Sequence, residues 1–251
     1  MSYFMLQNLN FNLFGDYKDF EATPERISQL LSEMLKIGLN VMPGTFQQVN
    51  PGLGMQKFDR MQFIDQKNNF TIMFNVDSIH ITQTMLNDKS YNLKRNINKF
   101  ISDINKILLA INKLEQEVPL GRRISLVVST LNNDSKIKSL DDIYKDFSNT
   151  IPFYEPEETF EWNARAVRRE NHEILEYKEK FNIVSEVTRT QGELDKFGEK
   201  EYFDTINTTI DVNTLNENTK ERIDSVFSKE FLEKAATTFS SQYEAIEVKL
   251  K

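Results

Sequence analysis

The sequence predicts an α+β fold of two pseudo-repeated halves, each an antiparallel meander packed on a long amphipathic helix. Three observations predict it. Period-two and period-3.6 apolar patterns alternate along the chain, the first marking strands and the second helices. Their order, a strand, a helix, a meander and a long helix, runs once over residues 3 to 116 and again over 122 to 246. Pro119 and Gly121 punctuate the chain between the two series, dividing it into a first half, 1–118, and a second, 119–251, in intimate contact. A duplicated unit of this kind implies two sheets or one continuous sheet, with a seam between halves where something can bind.

Residues 3 to 14 set Leu9, Phe11 and Leu13 against Asn8, Asn10 and Asn12, the alternation of a half-buried strand. Thr23-Pro24-Glu25 starts a helix, with Thr as N-cap, Pro where no N–H is missed, and Glu at the positive end of the dipole. Its apolar stripe is Ile27, Leu30, Leu31, Met34 and Leu35, and Gly38 is placed to end it. Pro-Gly occurs twice between Pro43 and Gly54, predicting a loop or short edge strand. Arg60 to Thr84 reads as two or three antiparallel strands turning at Lys67-Asn68-Asn69 and near Asp77-Ser78, with Phe70, Ile72, Phe74 and Val76 on one face. From 92 to 116, Leu93, Ile97, Phe100, Ile101, Ile104, Leu108, Ile111 and Leu114 form the stripe of a long helix.

The second half opens on Ile124-Ser125-Leu126-Val127-Val128, apolar enough for a strand buried on both faces. Ser139-Leu140-Asp141-Asp142 resembles a capping box ahead of a short helix through Ile143 and Phe147. An acidic, proline-punctuated loop, Ile151 to Glu158, leads to three strands expected at 159–169, 173–190 and 200–213. In the last two, Phe181, Ile183 and Val187 share a face, as do Ile206, Ile210 and Val212. A terminal helix is expected over 217 to 243, with Ile223, Phe227, Phe231, Ala235 and Phe239 spaced by four.

Composition bounds the function classes. At 251 residues, 39% hydrophobic and 27% charged, the chain can bury a substantial core. A net charge of −7 opposes a surface that is uniformly a phosphate-binding field, while leaving room for a local basic patch. The absence of cysteine removes disulfides, thiol catalysis and cysteine-ligated metals together. No run approaches the roughly 18 apolar residues that span a bilayer, and Met1 to Phe14 lacks the layout of a signal peptide, so a cytoplasmic protein without membrane contact is expected. Asn, Lys and Ile are abundant, which fits a codon bias more than a function.

Candidate chemistry is sparse. His80, between Ile79 and Ile81 in a strand, points to the face opposite them; His172 falls in the polar run Arg168 to Glu173, read as a surface turn. No nucleophile elbow, Walker loop or dinucleotide fingerprint occurs. The sharpest enzymatic pattern is Glu176-Tyr177-Lys178 in a strand, an acid and a lysine on one face that, beside Asp141 or Asp142, would suit a metal-dependent nuclease or phosphodiesterase. The competing reading is a row of cross-strand ion pairs, with Asp141 and Asp142 explained by helix capping. Arg165, Arg168 and Arg169, with Arg122 and Arg123 and the rings of Trp162, Phe160 and Tyr177, could hold nucleic acid. Glu157, Glu158, Glu161, Glu170 and Glu173 are interleaved and neutralise much of that field, which disfavours nucleic acid as partner.

The strand around Phe70 to Val76, the helix from Asn92, and Ile206-Asn207-Thr208-Thr209-Ile210-Asp211-Val212 before the last helix resemble, in order and length, a sporadically distributed family of uncharacterised bacterial α+β proteins of about 250 residues. Asp211 is the one motif-like point of the resemblance. It implies no reaction and no cofactor, and suggests a role in bacterial or phage defence or conflict. The expectation is a non-enzymatic intracellular protein that binds a protein partner or assembles with itself as a homo-oligomer, without metal or cofactor. Nineteen Phe and wide apolar helix stripes that subunits could share motivate it. The alternatives are the nuclease and a small-molecule sensor in the cleft between halves.

Overall fold

The two periodicities resolve into nine strands and four helices in a computed structural model that describes residues 4–50, 55–87, 93–114, 118–133, 139–147, 161–196 and 198–250. In chain order these are β1 (Phe4–Phe14), α1 (Pro24–Lys36), β2 (Met42–Asn50), β3 (Gln56–Asp65), β4 (Phe70–Phe74), β5 (Ser78–Asn87) and α2 (Leu93–Ile111). Then follow β6 (Arg123–Asn133), α3 (Leu140–Phe147), β7 (Asn163–Ile174), β8 (Tyr177–Lys196), β9 (Glu199–Thr214) and α4 (Ser225–Leu250).

All nine strands form one antiparallel sheet in the order β2-β3-β4-β5-β1-β6-β9-β8-β7. The strands β1 and β6, the latter just after Pro119 and Gly121, therefore lie side by side at the centre, paired from Phe4↔Asn133 to Phe14↔Arg123. One side of every central strand is apolar: Leu9, Phe11 and Leu13 on β1, Ile79 and Ile81 on β5, Ile124, Leu126 and Val128 on β6, Ile206, Ile210 and Val212 on β9. These join Leu30 and Met34 of α1, Phe100 and Ile104 of α2, Ile143 of α3, and Phe227 and Phe231 of α4 in a single core cluster. The described helices thus cover one face of the sheet. No described helix covers the other.

Local signals placed several elements closely. Thr23 accepts the Arg26 amide through its hydroxyl, Pro24 opens α1, and Gly38, at φ +83°, follows its end in the left-handed region that favours glycine. Leu35, expected on the buried stripe, is exposed instead, while Leu30 and Met34 beside it on the helix are fully buried. The Pro43-Gly44 segment is a full edge strand, where a missing N–H costs no ladder bond. Ser139 and Asp142 cap α3 reciprocally: the Asp142 amide donates to Ser139 Oγ at 3.2 Å, and the Ser139 hydroxyl to Asp142 Oδ2 at 2.6 Å.

Two expectations are corrected. The second-half hairpin turns at Leu175-Glu176 and not at the polar Asn171-His172, so β7 runs on to Ile174 and carries His172 within the strand. Burying Ile174 and stacking His172 on Phe181, with ring centroids 4.2 Å apart, set that register at the expense of Leu175, which adopts φ +53°. The last helix starts at Ser225 and runs to Leu250, later than expected at both ends. Asp224 starts it, its carboxylate accepting the Phe227 amide at 2.8 Å, while Ile223 bridges to Gly121.

That bridge is reinforced by a buried clasp. Arg222 donates through Nε to Glu179 Oε1 at 2.5 Å and through Nη2 to Oε2 at 2.8 Å, with side chains 2% and 3% exposed. Its Nη1 holds the carbonyls of Arg122 and Lys220, at 2.5 and 2.9 Å. The clasp ties β8, the approach to α4 and the start of β6 together. On the far side of the sheet, fully buried Arg60 plays a comparable part with neutral acceptors, donating to the carbonyls of Tyr17, Lys18 and Phe20.

Candidate functional site: the polar sheet face and the α2–α4 groove

Register alone sets out the chemistry of the uncovered sheet face. Across the strands, Met73, His80, Asn12, Ser125, Asn213, Asn182 and Arg169 stand opposite one another in succession. Many of these side chains satisfy one another. Asn12 donates to Ser125 Oγ at 3.2 Å, Asn182 to Asn213 Oδ1 at 3.5 Å, and Arg169 Nε to Asn182 Oδ1 at 3.1 Å. The neighbouring row is Thr82, Asn10, Val127, Asp211, Val184 and Val167.

Asp211 consequently has a valine on each adjacent strand. Burial pushes its carboxyl above the usual carboxylate range, against the opposing pull of the Asn213 amide, bonded to Oδ2 at 2.9 Å, and of the charges of Arg123 and Arg165. Its Oδ1 is buried with no hydrogen-bond partner among the described residues, as is Arg123 Nε, and the Arg123 guanidinium lies 5.0 Å over the Phe14 ring. Burial lowers the affinity of His80 for a proton on the same face.

The residues singled out from the sequence are scattered over this framework. Arg165 and Arg169 are on the uncovered face, Arg165 near Asp211 and Arg169 3.7 Å from Glu217. Arg168, one residue from Arg169, points the other way and pairs with Glu170 at 3.1 Å. Trp162 is buried in the core with its ring centroid 5.8 Å from that of Tyr144. Glu176 lies in the hairpin turn and not in a strand, exposed, and Lys178 stands opposite Glu173 on the edge hairpin. Asp142 is engaged in the α3 cap and 3.8 Å from Lys145. The side chain of Asp141 and the loop from Ile151 to Phe160, with Glu155 to Glu158, lie outside the described residues. Among the described residues no three His, Asp or Glu side chains converge as a metal site would require. No described helix is long and apolar enough to cross a membrane.

A second feature lies on the opposite surface, over the helices. Between α2 and α4 runs a groove of about 670 Å³, walled by Lys94, Asn98, Ser102, Asn105, Lys106, Lys229, Glu233, Thr237 and Ser240 over a floor that includes Ile101 and Ala236. It continues into a smaller hollow of about 260 Å³ bounded by Ile97, Phe239, Tyr243, Glu244 and Glu247, with Lys94 and Ser240 common to both. Asn112, just past the end of α2, donates to Ser225 Oγ at the start of α4 at 2.6 Å, while Lys94 near the start of α2 shares the smaller hollow with Glu247 near the end of α4, so the helices are antiparallel along it. Leu109 is 55% exposed at one end, beside Val226 at 53%; Val248, at 77%, lies at the other. Helical spacing identified the apolar undersides of α2 and α4, but their apposition joins residues more than a hundred positions apart, which no local pattern reveals.

Comparison of the chain with protein-family models, with characterised proteins and with solved structures found no match.

Proposed function

We propose that this chain is a non-enzymatic intracellular protein that works by binding another protein or by assembling with itself, and that the α2–α4 groove is its principal contact surface. The observation that carries the reading is the groove itself: two amphipathic helices whose outer sides hold Leu109, Val226 and Val248 in water beside a hollow of about 670 Å³. Each of those side chains stabilises a contact by about 1.5–3 kcal/mol if it is fully buried there. The test is recovery of partners by affinity purification together with native mass measurement, compared between the natural chain and a Leu109→Ser/Val226→Ser variant. Loss of the recovered species in the variant is expected. A natural chain that is monomeric and recovers nothing would refute the proposal.

Underlying this reading is a two-fold pseudo-repeat that makes α2 and α4 counterparts. The antiparallel pairing of β1 with β6 supports it, since two like halves related by a two-fold axis place their equivalent strands so. So does the element order, β1-α1-meander-α2 and β6-α3-meander-α4, with four strands in the first meander and three in the second. A setting in bacterial or phage conflict, suggested by the resemblance in element order, belongs to the same proposal; genomic neighbours test it.

A further inference from the structure

We infer that the occupant of the α2–α4 groove is the same groove of a second copy, joined about a two-fold axis that crosses the middle of α4. The inference rests on the binding reading above and commits it to one partner.

The charges of the groove divide by position. Lys106 and Lys229, with Glu233, lie toward one end, and Glu244 and Glu247, with Lys94, toward the other, so the first end is net basic and the second net acidic, with Ser102, Thr237 and Ser240 uncharged between them. Asp103 is the buried carboxylate beneath the basic end, and it is shared between Lys99 at 2.9 Å and Lys106 at 3.6 Å, so one negative charge serves two lysines. A two-fold axis through the centre lays the basic end of each copy on the acidic end of the other, twice over. The same operation brings Leu109 and Val226, which flank the basic end, to Val248, which follows Glu244 by one helical turn. A parallel overlay would set the two net-basic ends together and the two net-acidic ends together. Charge and apolar exposure therefore select the same arrangement, the self-complementary contact expected of a two-fold dimer.

The size of the surface fits a reversible association. The 19 residues of α2 extend roughly 28 Å, and two helices side by side are about 20 Å across. Covering that area on both copies buries on the order of 1,100 Å², close to the lower bound of specific interfaces and above the usual lattice contact. The small residues at the centre of the α4 face, Ala236, Thr237 and Ser240, allow helices to approach closely at the axis.

Sedimentation equilibrium of the full chain tests this directly. A dimer is expected at tens of micromolar protein. Lys106→Glu/Lys229→Glu should weaken it at least tenfold, and so should Glu244→Lys/Glu247→Lys. Mixing the two variants in equal amounts should restore association as a heterodimer, because a strongly net-acidic groove then faces a strongly net-basic one. Circular dichroism and thermal melting confirm that each variant is folded. The chain has no cysteine, so Thr237→Cys should give a disulfide-linked dimer under mild oxidation, while Lys57→Cys, exposed on β3, should not. A monomeric natural chain, a dimer indifferent to both reversals, or variants that fail to complement each other would overturn the inference. If the natural chain is monomeric yet a different protein is recovered in a Leu109- and Val226-dependent way, the second-copy inference falls and the binding function stands.

Discussion

Replacing Glu179 by Gln keeps the volume of the side chain and removes only its charge. The site is severe for that change, because Arg222 is 2% exposed and receives the counter-charge of Glu179 through two parallel bonds of 2.5 and 2.8 Å. Gln offers one oxygen where the carboxylate offered two, and the guanidinium stays buried beside the carbonyls of Arg122 and Lys220. Breaking a buried pair from one side typically costs about 3–5 kcal/mol, most of it the penalty of the abandoned charge. The retained volume and the surviving amide acceptor place Glu179→Gln near the lower end, about 3 kcal/mol. The double variant Glu179→Gln/Arg222→Met removes that charge as well, and should lose less than the sum of the two single changes by about 2 kcal/mol or more. Urea unfolding followed by circular dichroism and by the fluorescence of Trp162 measures both quantities, provided the slopes of the transitions agree. A single-variant loss below about 1 kcal/mol, or additivity within about 0.5 kcal/mol, would refute the reasoning.

Three further outcomes follow from the same structure. Gly121→Ala adds a carbon 2.4 Å from Leu13 Cδ1 and 3.3 Å from Ile223 Cβ, and the overpacking should cost about 1–3 kcal/mol in thermal or urea unfolding, relieved in part by Leu13→Val. Asp211→Asn should stabilise the protein at neutral pH: a carboxyl whose folded pKa is raised holds its proton more firmly folded than unfolded, so its contribution falls as pH rises from the unfolded value through the folded one. The advantage of Asn over Asp should therefore vanish below about pH 3.8, and an advantage that persists there would exclude the burial of Asp211 as its cause. Trp162, the one tryptophan, should emit at short wavelength and resist iodide quenching in the native protein; emission like that of free tryptophan would contradict its place against Tyr144.

Legibility of the fold followed the range of the interactions that set each element. The α1 start, the α3 capping box and the Asn69 turn are written in neighbouring residues and could be placed from the sequence. The turn of the β7–β8 hairpin was misplaced because Asn171-His172 is the better local turn signal, whereas the burial of Ile174 and the stacking of His172 on Phe181 decide the register. The late start of α4 has a similar origin: Gly121 and Ile223 hold the preceding segment as a bridge, and they lie about a hundred positions apart in the chain. The candidate surfaces were harder still. Arg123, Arg165 and Asp211 approach one another only because β6, β9, β8 and β7 lie side by side, and the groove requires two helices more than a hundred positions apart.

The central position of β1 sets a schedule for the growing chain. Its one edge pairs with β5, and the other with β6, whose residues lie about 120 positions downstream, a delay of roughly 6–24 s at ordinary rates of synthesis. Until then Leu9, Phe11 and Leu13 belong to a strand with an open edge and half a hydrophobic floor. The β8–β9 hairpin, made of neighbours in sequence, can zip within microseconds of emergence, but it has no wall to dock on before β6 has joined β1. The strand that emerges first is thus completed late, and a ribosome paused before β6 would hold it exposed where β-strands most readily find the wrong neighbour.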